Sequence, residues 1–223
     1  ACRKLVIVGA GAFAEVACEY FNEDSDYEVI GFAVEQEHLK QEELLGLPVV
    51  PLETVDEVFP ATETDAYVAV VFTKLNRLRR RLLDTISDKG FAPASYRSSA
   101  AQVAKSAALG EHCFVFENNV VQPFVSIGDN VVLWSGNHIG HHSQIKDNVF
   151  ISSHVVIAGS CDIGKNTFLG VNAAVADGVT VGADCWIGPG ITISSDVPAR
   201  SMFGAAKSSA SKADTHRFFR LKE

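Results

Sequence analysis

From Gln102 onward the chain repeats one hydrophobic signal: the second residue of every consecutive block of six is aliphatic, from Val103 through Ile127, Ile145 and Ile163 to Ile193, with no insertion. A strict period of six fits neither a helix of period 3.6 nor a plain strand of period 2. It fits short strands joined by tight corners and wound into a prism, a parallel β-helix. The last residue of most blocks is small or aliphatic, as at Val125, Val131, Ser143, Val149, Val155, Thr167 and Val179, and it points inward two positions before the next aliphatic one. Cys113, Cys161 and Cys185 fall in that slot and read as small buried hydrophobes. With three blocks per coil, residues eighteen apart stack in columns about 4.8 Å apart.

The residue that opens each block points outward, and the three faces differ. The first carries Phe114, Val132, Phe150, Phe168 and Trp186; the second Val120, His138, Val156, Ala174 and Thr192; the third Ser126, Gln144, Asp162 and Thr180. The first face is too apolar for water. Its pattern predicts burial against another copy of the prism, hence a homo-oligomer and by expectation a homotrimer. The other cover open to it is the N-terminal part of the same chain or its C-terminal tail.

Ahead of the repeat the pattern changes to alternating strands and helices. An apolar strand, Lys4 to Val8, runs into Gly9-Ala10-Gly11-Ala12-Phe13-Ala14, which spells GxGxxA, and then into a helical pattern through Phe21. A second strand spans Glu28 to Val34 and ends beside Glu35; a third, Tyr67 to Phe72, precedes Thr73-Lys74-Leu75-Asn76-Arg77 and a helix to Ser87. Such glycines let backbone N–H groups and a helix N-terminus approach a phosphate. The expected organisation is a small Rossmann-like α/β unit over residues 1–100, a β-helix over 101–198 and a tail over 199–223, with Ala92 to Ala101 as the crossover. About a hundred residues is short for a dehydrogenase, so a nucleotide or sugar diphosphate is preferred to NAD. Gly9, Ala10, Gly11, Ala12, Thr73, Asn76 and Arg77 are the candidates to hold it. Arg79, Arg80 and Arg81 either join them or form a solvated helix face.

Composition narrows the function classes. The 223 residues carry a formal net charge of −8, and Arg77 to Arg81 is the only dense basic run, which argues against a duplex or an anionic membrane as partner. The absence of an 18-residue apolar stretch leads us to expect a cytoplasmic protein. Five cysteines without a CxxC pair suggest neither a disulfide framework nor a zinc site, and no metal is expected.

The histidines are concentrated. His138, His141 and His142 share one block, HIGHHS, and His154 lies in the next coil. His141 and His142 fall at a prism corner, outside the hydrophobic column. An imidazole titrates near neutrality, so one in reach of an attacking amine accepts its proton. Eighteen residues beyond His141 comes Gly159, flanked by Ala158 and Ser160. A thioester carbonyl near the Gly159 N–H would have its developing oxyanion stabilised. Asp177 continues the column, and the corner formed by Gly159, Ser160, Asp177 and Gly178 is a track for a pantetheine arm. His138, in the same block, is assigned to the substrate side.

These motifs together resemble a known family: the β-helical nucleotide-sugar acyltransferases with a small N-terminal nucleotide-binding domain, such as the bacillosamine-pathway and perosamine N-acetyltransferases and the sialic acid O-acetyltransferase group. The resemblance rests on the strand-GxGxxA-helix start, the Asn76-Arg77 helix, the unbroken hexapeptides, and a histidine followed eighteen residues later by a glycine. It implies a left-handed parallel β-helix, acetyl-CoA as co-substrate lying between subunits of a trimer, and a nucleotide-linked amino sugar held by the first domain. It also implies His141 as base and Gly159 as the amide that meets the thioester. The segment Met202-Phe203-Gly204-Ala205-Ala206-Lys207 is similar to the family's GxPAK stretch and places Lys207 near coenzyme A. The positions that read nucleotide and sugar carry Phe13 and Glu35 here. The residue after the base, often a carboxylate in that family, is His142. The expected reaction is therefore N-acetylation, with His141, His142 and Gly159 at its centre. Two other readings remain: an O-acetyltransferase on the same scaffold, or a non-catalytic β-helix, including one with zinc held by His138, His141 and His154.

Overall fold

The computed structural model describes residues 2–205 and 208–221. The first of its two parts is a six-stranded sheet. Strand β1 (Arg3–Val8) is central and pairs in parallel with β2 (Tyr27–Val34) on one side and β5 (Thr64–Val68) on the other. The sheet continues through β4 (Leu47–Pro51) to β3 (Glu43–Leu44) at one edge and ends at β6 (Ala92–Pro93) at the other. Helix α1 (Ala12–Glu23) follows the glycine loop; the short α2 (Val55–Val58) and the longer α3 (Arg77–Asp88) complete the layer. The third strand stops at Val68, short of the expected Phe72. Its partner β1 ends at Val8, whose carbonyl accepts the last rung from the Ala69 N–H at 2.8 Å, and nothing remains to pair with beyond it.

The second part is the left-handed β-helix. Three parallel sheets of seven, six and five two-residue strands stack residues eighteen apart, with Phe114 opposite Val132, His138 opposite Val156 and Gln144 opposite Asp162. The inward aliphatics and the three cysteines form one continuous core, in which Val131, Leu133, Ile139, Ile151, Ile157 and Cys185 are fully buried. The prism begins at Tyr96–Arg97, which pairs with Phe114–Val115, so the expected crossover is divided between the last strand of the first sheet and the first of the second part. At the far end Met202–Phe203 adds a strand beside Trp186–Ile187, and a short α4 (Thr215–Phe219) follows. Among the described residues no helix is long and apolar enough to cross a membrane.

The aromatic face of the prism is not left for another copy. Phe114, Val132, Phe150 and Phe168 are buried within a cluster that also holds Phe13, Phe21 and Tyr67 of the first part. Phe13 meets Phe114 edge-on at 5.6 Å, and Phe72 packs on Phe168 at 4.5 Å and on Trp186 at 5.6 Å. Contrary to the expectation from sequence, the stripe is therefore no sign of an oligomer. The chain covers it with its own α/β part, because α1 and the loop after β5 present an equally apolar surface to it.

Candidate active site

The α/β part also grips both corners that flank the aromatic face. On one, Tyr20 on α1 donates its hydroxyl to Glu117 at 2.8 Å. On the other, a column of corner residues, His112, Asn130, Asn148, Asn166 and Asp184, all take positive φ, which Asn, Asp and His tolerate better than other side chains. Their amides run head to tail: Asn130 donates to Asn148, Asn148 to Asn166, and Asn166 to Asp184, at 2.9, 3.1 and 2.9 Å. The fully buried Arg79 caps one end on Asn130, and Arg77 closes the other on Asp184 at 2.8 Å. Burial lowers the Arg79 guanidinium to about 10. His112 accepts the Val68 N–H at Nε2 and donates from Nδ1 to Asn130, both at 2.8 Å, which settles its neutral tautomer; burial pushes it down to about 3.

The third corner, opposite the aromatic face, carries the histidine pair. His141 donates its backbone N–H to Gln122 Oε1 at 2.9 Å and accepts the Ser160 N–H at 2.8 Å, so coils on both sides hold it. Its exposed ring leans onto the following coil, where a methyl group built on Gly159 would lie 2.7 Å from both Cε1 and Nε2 and 2.9 Å from Asp177 Oδ1. A glycine stands there because the imidazole takes the space. The neighbouring Ala158 N–H is spent on Val175 at 3.0 Å, whereas among the described residues no hydrogen bond takes up the Gly159 N–H. Gly178 donates to the Gly159 carbonyl at 2.9 Å, which extends the corner to a third coil. His141, Gly159, Ser160, Asp177 and Gly178 thus line one ridge, with His142 beside them. His138 stands half-buried on the second face, in the strand that leads to this corner. His154 lies at a different corner with its ring over Gly136, where an added methyl would be 2.7 Å from Cε1. Its imidazole does not converge with His141 within one chain. Lys207 lies outside the described residues.

The glycine loop opens onto a separate cleft of about 320 Å³, lined by Ala10, Gly11, Val34, His38, Lys40, Gln41 and Val49. Gly9 has φ +124°, and a side chain there would meet the Ala69 carbonyl oxygen at 2.7 Å, so only glycine brings the loop this close to β5. Gly11 precedes the first turn of α1, which begins at Ala12 and offers its free N–H groups to the cleft. His38, Lys40 and Gln41 were not singled out from sequence. Their signal is positional: they follow the carboxyl end of β2, where open parallel sheets receive ligands.

Other expected ligand residues have different work. Phe13 is buried at the joint and stacks toward Phe116 and Trp134, so it reads no ligand. Asn76 is fully buried, accepting from Arg79 at 3.2 Å and donating to the Asn166 carbonyl at 3.3 Å, and it too belongs to the joint. Arg77 is engaged with Asp184, and Thr73 lies exposed in the loop that carries Phe72. Glu35 takes the Arg81 fork on both oxygens, at 2.7 and 3.0 Å, and that hydrogen-bonded pair holds its carboxyl below the usual range. Glu35, Glu37 and His38 bring ligand atoms within 4.8 Å of one another, but Arg81 already occupies the central carboxylate.

The repeat over residues 124–159 matches the family described as bacterial transferase hexapeptide (six repeats), and residues 162–195 match the hexapeptide repeat of succinyl-transferase. Comparison with curated proteins gives no significant match. In fold the chain is similar to the acetyltransferase domain of PglB from Neisseria gonorrhoeae, with 25% identity, a TM-score of 0.81, and coverage of 91% of this chain and 97% of that one. It is likewise similar to perosamine N-acetyltransferase from Caulobacter crescentus, solved as a histidine-to-asparagine mutant with CoA and GDP-perosamine: 25% identity, TM-score 0.82, coverage 92% and 95%. WeeI from Acinetobacter baumannii shares the fold at 17% identity and TM-score 0.61, covering 90% of this chain and 95% of that one. Repeat and whole-chain likeness together support an acyltransferase built on hexapeptide repeats. The likeness to these acetyltransferases spans both of its parts, over 91% and 92% of the chain.

Proposed function

We propose that this chain transfers the acetyl group of acetyl-CoA to the amine of a nucleotide-linked amino sugar, with His141 as general base. The observation that carries the reading is the His141 imidazole resting against Gly159, whose N–H has no hydrogen-bond partner among the described residues and can serve a ligand. Similar proteins are solved with acetyl coenzyme A and with CoA and GDP-perosamine. The amine nitrogen attacks the thioester carbonyl and forms the C–N bond while its proton passes to His141 Nε2. The oxyanion accepts from the Gly159 N–H. Collapse breaks the C–S bond, and the proton held on the imidazole returns to the departing thiolate. Ser160, Asp177, Gly178 and Lys207 are the proposed flank of the pantetheine arm, and His138 faces the sugar. The diphosphate is assigned to the cleft at Gly9, Ala10, Gly11 and Ala12, with Lys40 as its cationic neighbour and His38 and Gln41 as hydrogen-bonding neighbours.

Cleft and base cannot meet within one chain. The α/β part covers one face and both adjoining corners of the triangular prism, and His141 sits at the remaining corner with the prism between them. A second copy must bring its histidine to the first copy's cleft, and a closed ring of such head-to-tail contacts, a homotrimer, satisfies this for every copy. The second face, where Val156 is 47% exposed, is free to take part. We place the reaction in the cytoplasm, where both substrates are supplied.

The test is release of free CoA thiol when acetyl-CoA is mixed with amino sugars linked to GDP, UDP, dTDP or CDP, with mass analysis of the product. Turnover with one of them, yielding an amide, supports the reading. Transfer only to a hydroxyl replaces it with O-acetylation, and no turnover with any acceptor overturns it.

A further inference from the structure

His142, the residue next to the proposed base, belongs to none of the steps above, yet its geometry is specific. Its Nδ1 lies 3.1 Å from His141 Nδ1, with the two rings at 85° to each other. The ring of Phe124 sits 4.8 Å from the His142 ring at an interplanar angle of 33°. Phe124 is itself unusual: a bulky side chain 61% exposed on a residue with φ +64°. Strain of that kind is kept only where surrounding structure holds it. Here the Phe124 N–H donates to Ser106 Oγ at 3.1 Å, and the next link, Pro123, gives its carbonyl to the His142 N–H at 3.2 Å.

Two imidazole nitrogens at hydrogen-bond distance share one proton, since two N–H groups facing each other repel and two lone pairs make no bond. If His141 carries it, the His141 Nδ1–H donates to His142, and His141 Nε2 is left with a lone pair on the Gly159 side. If His142 carries it, His141 is protonated at Nε2 and cannot accept from an amine. We infer that His142, braced by Phe124, is a positioning residue that accepts the His141 Nδ1–H and so holds Nε2 of the base unprotonated and aimed at the substrate. An acceptor on the remote nitrogen is the usual means of fixing an imidazole's tautomer and orientation. As His141 takes the substrate proton, the same hydrogen bond becomes charge-assisted and strengthens, which favours the transition state. The groups nearest the pair from the other coils are Gln122, one coil before and neutral, and Asp177, two coils beyond His141 on the far side of Gly159. Among the described residues no carboxylate bonds either ring, so the acceptor has to be the second imidazole.

This inference rests on the base assigned to His141, and the experiment separates the two. His142→Asn retains an acceptor and suits the backbone, because Asn130, Asn148 and Asn166 hold similar positive φ values at equivalent corner positions. His142→Phe retains a ring beside Phe124 and removes the acceptor. We expect kcat to fall about 10-fold or more in His142→Phe, with KM for both substrates little changed, and to recover to within about 3-fold in His142→Asn. Nitrogen chemical shifts of the free enzyme should report His141 protonated at Nδ1 in the wild type and in His142→Asn, and a shift toward the Nε2–H form in His142→Phe. Wild-type kcat and an unchanged tautomer in His142→Phe overturn the inference, as does an equal loss in both variants. His141→Ala is the control. If it is inactive while His142→Phe is normal, the base stands and only the positioning role is lost; if His141→Ala is active, the assignment of the base falls first.

Discussion

Arg79 of helix α3 donates from Nε to the Asn130 side chain at 2.9 Å and from Nη2 to the Asn130 carbonyl at 2.7 Å, and neither residue is exposed to solvent. A buried guanidinium is normally matched by a carboxylate; this one is matched by the oxygen end of an amide column whose far end is Asp184. Removing an acceptor from a buried charge costs more than removing the charge. Asn130→Ala is therefore expected to destabilise by about 3–5 kcal/mol, and Arg79→Met by about 1–3 kcal/mol. Urea unfolding of the two variants checks the order; a larger loss for Arg79→Met would refute this account of the joint.

His112 makes the same joint sensitive to acid. Its folded value, about 3, lies below that of an exposed imidazole, so between those two values the unfolded chain binds the extra proton. Stability is full above the unfolded value and is lost as pH falls below it. From pH 7 to pH 5 the contribution of this one residue amounts to roughly 2 kcal/mol. His112→Asn should be less stable than wild type at pH 7 but lose less on acidification. Unfolding midpoints at both pH values decide; parallel losses would show that other groups govern the acid limb.

How much of this was legible in the chain depends on which face a residue serves. The register from Val103 to Ile193 was readable because every inward slot of a thin prism must be filled, and any slip would put an aliphatic residue in water. The stripe Phe114, Phe150, Phe168 was readable as buried, but a pattern of outward residues does not say what covers them. The complementary Phe13 and Phe72 look, in sequence, like ordinary members of their own domain. Arg79 lies in the basic run Arg77 to Arg81, which reads as a solvated helix face. Its spacing to Leu82, Leu83 and Ile86 puts it on the buried stripe of α3, the one cue available. The column from His141 to Gly159 and Asp177 followed from the eighteen-residue repeat alone, whereas the Nδ1 contact to His142 depends on ring rotation that no spacing encodes.

Gly159 is a tight point of the proposed active corner. A methyl group there would be 2.7 Å from His141 Nε2 and 2.9 Å from Asp177 Oδ1, so the imidazole must move off the ridge. Because Gly159 has no positive φ, the backbone itself tolerates alanine. Gly159→Ala should fold with an unchanged melting temperature and lose about 10²-fold or more in kcat, the scale of a displaced general base. Activity near wild type would mean that the ring does not work from this position.

Gly11 offers the opposite situation, since nothing lies within 4 Å of a Cβ built there and the cleft beside it holds about 320 Å³. Gly11→Leu should fill that cleft without straining the fold, raising KM for the nucleotide sugar and leaving acetyl-CoA binding intact. Paired with His141→Ala, it tests whether the site forms between copies. At nucleotide-sugar concentrations well below the raised KM each variant alone is expected to turn over little, one for want of an open cleft and the other for want of a base. In mixed assemblies, a Gly11→Leu chain supplies a working His141 to the open cleft of a His141→Ala chain. Random mixing in equal amounts makes the required pairing at about one site in four, so co-expression should restore roughly a quarter of wild-type turnover. A site built within one chain has no such pairing, and co-expression would then restore nothing.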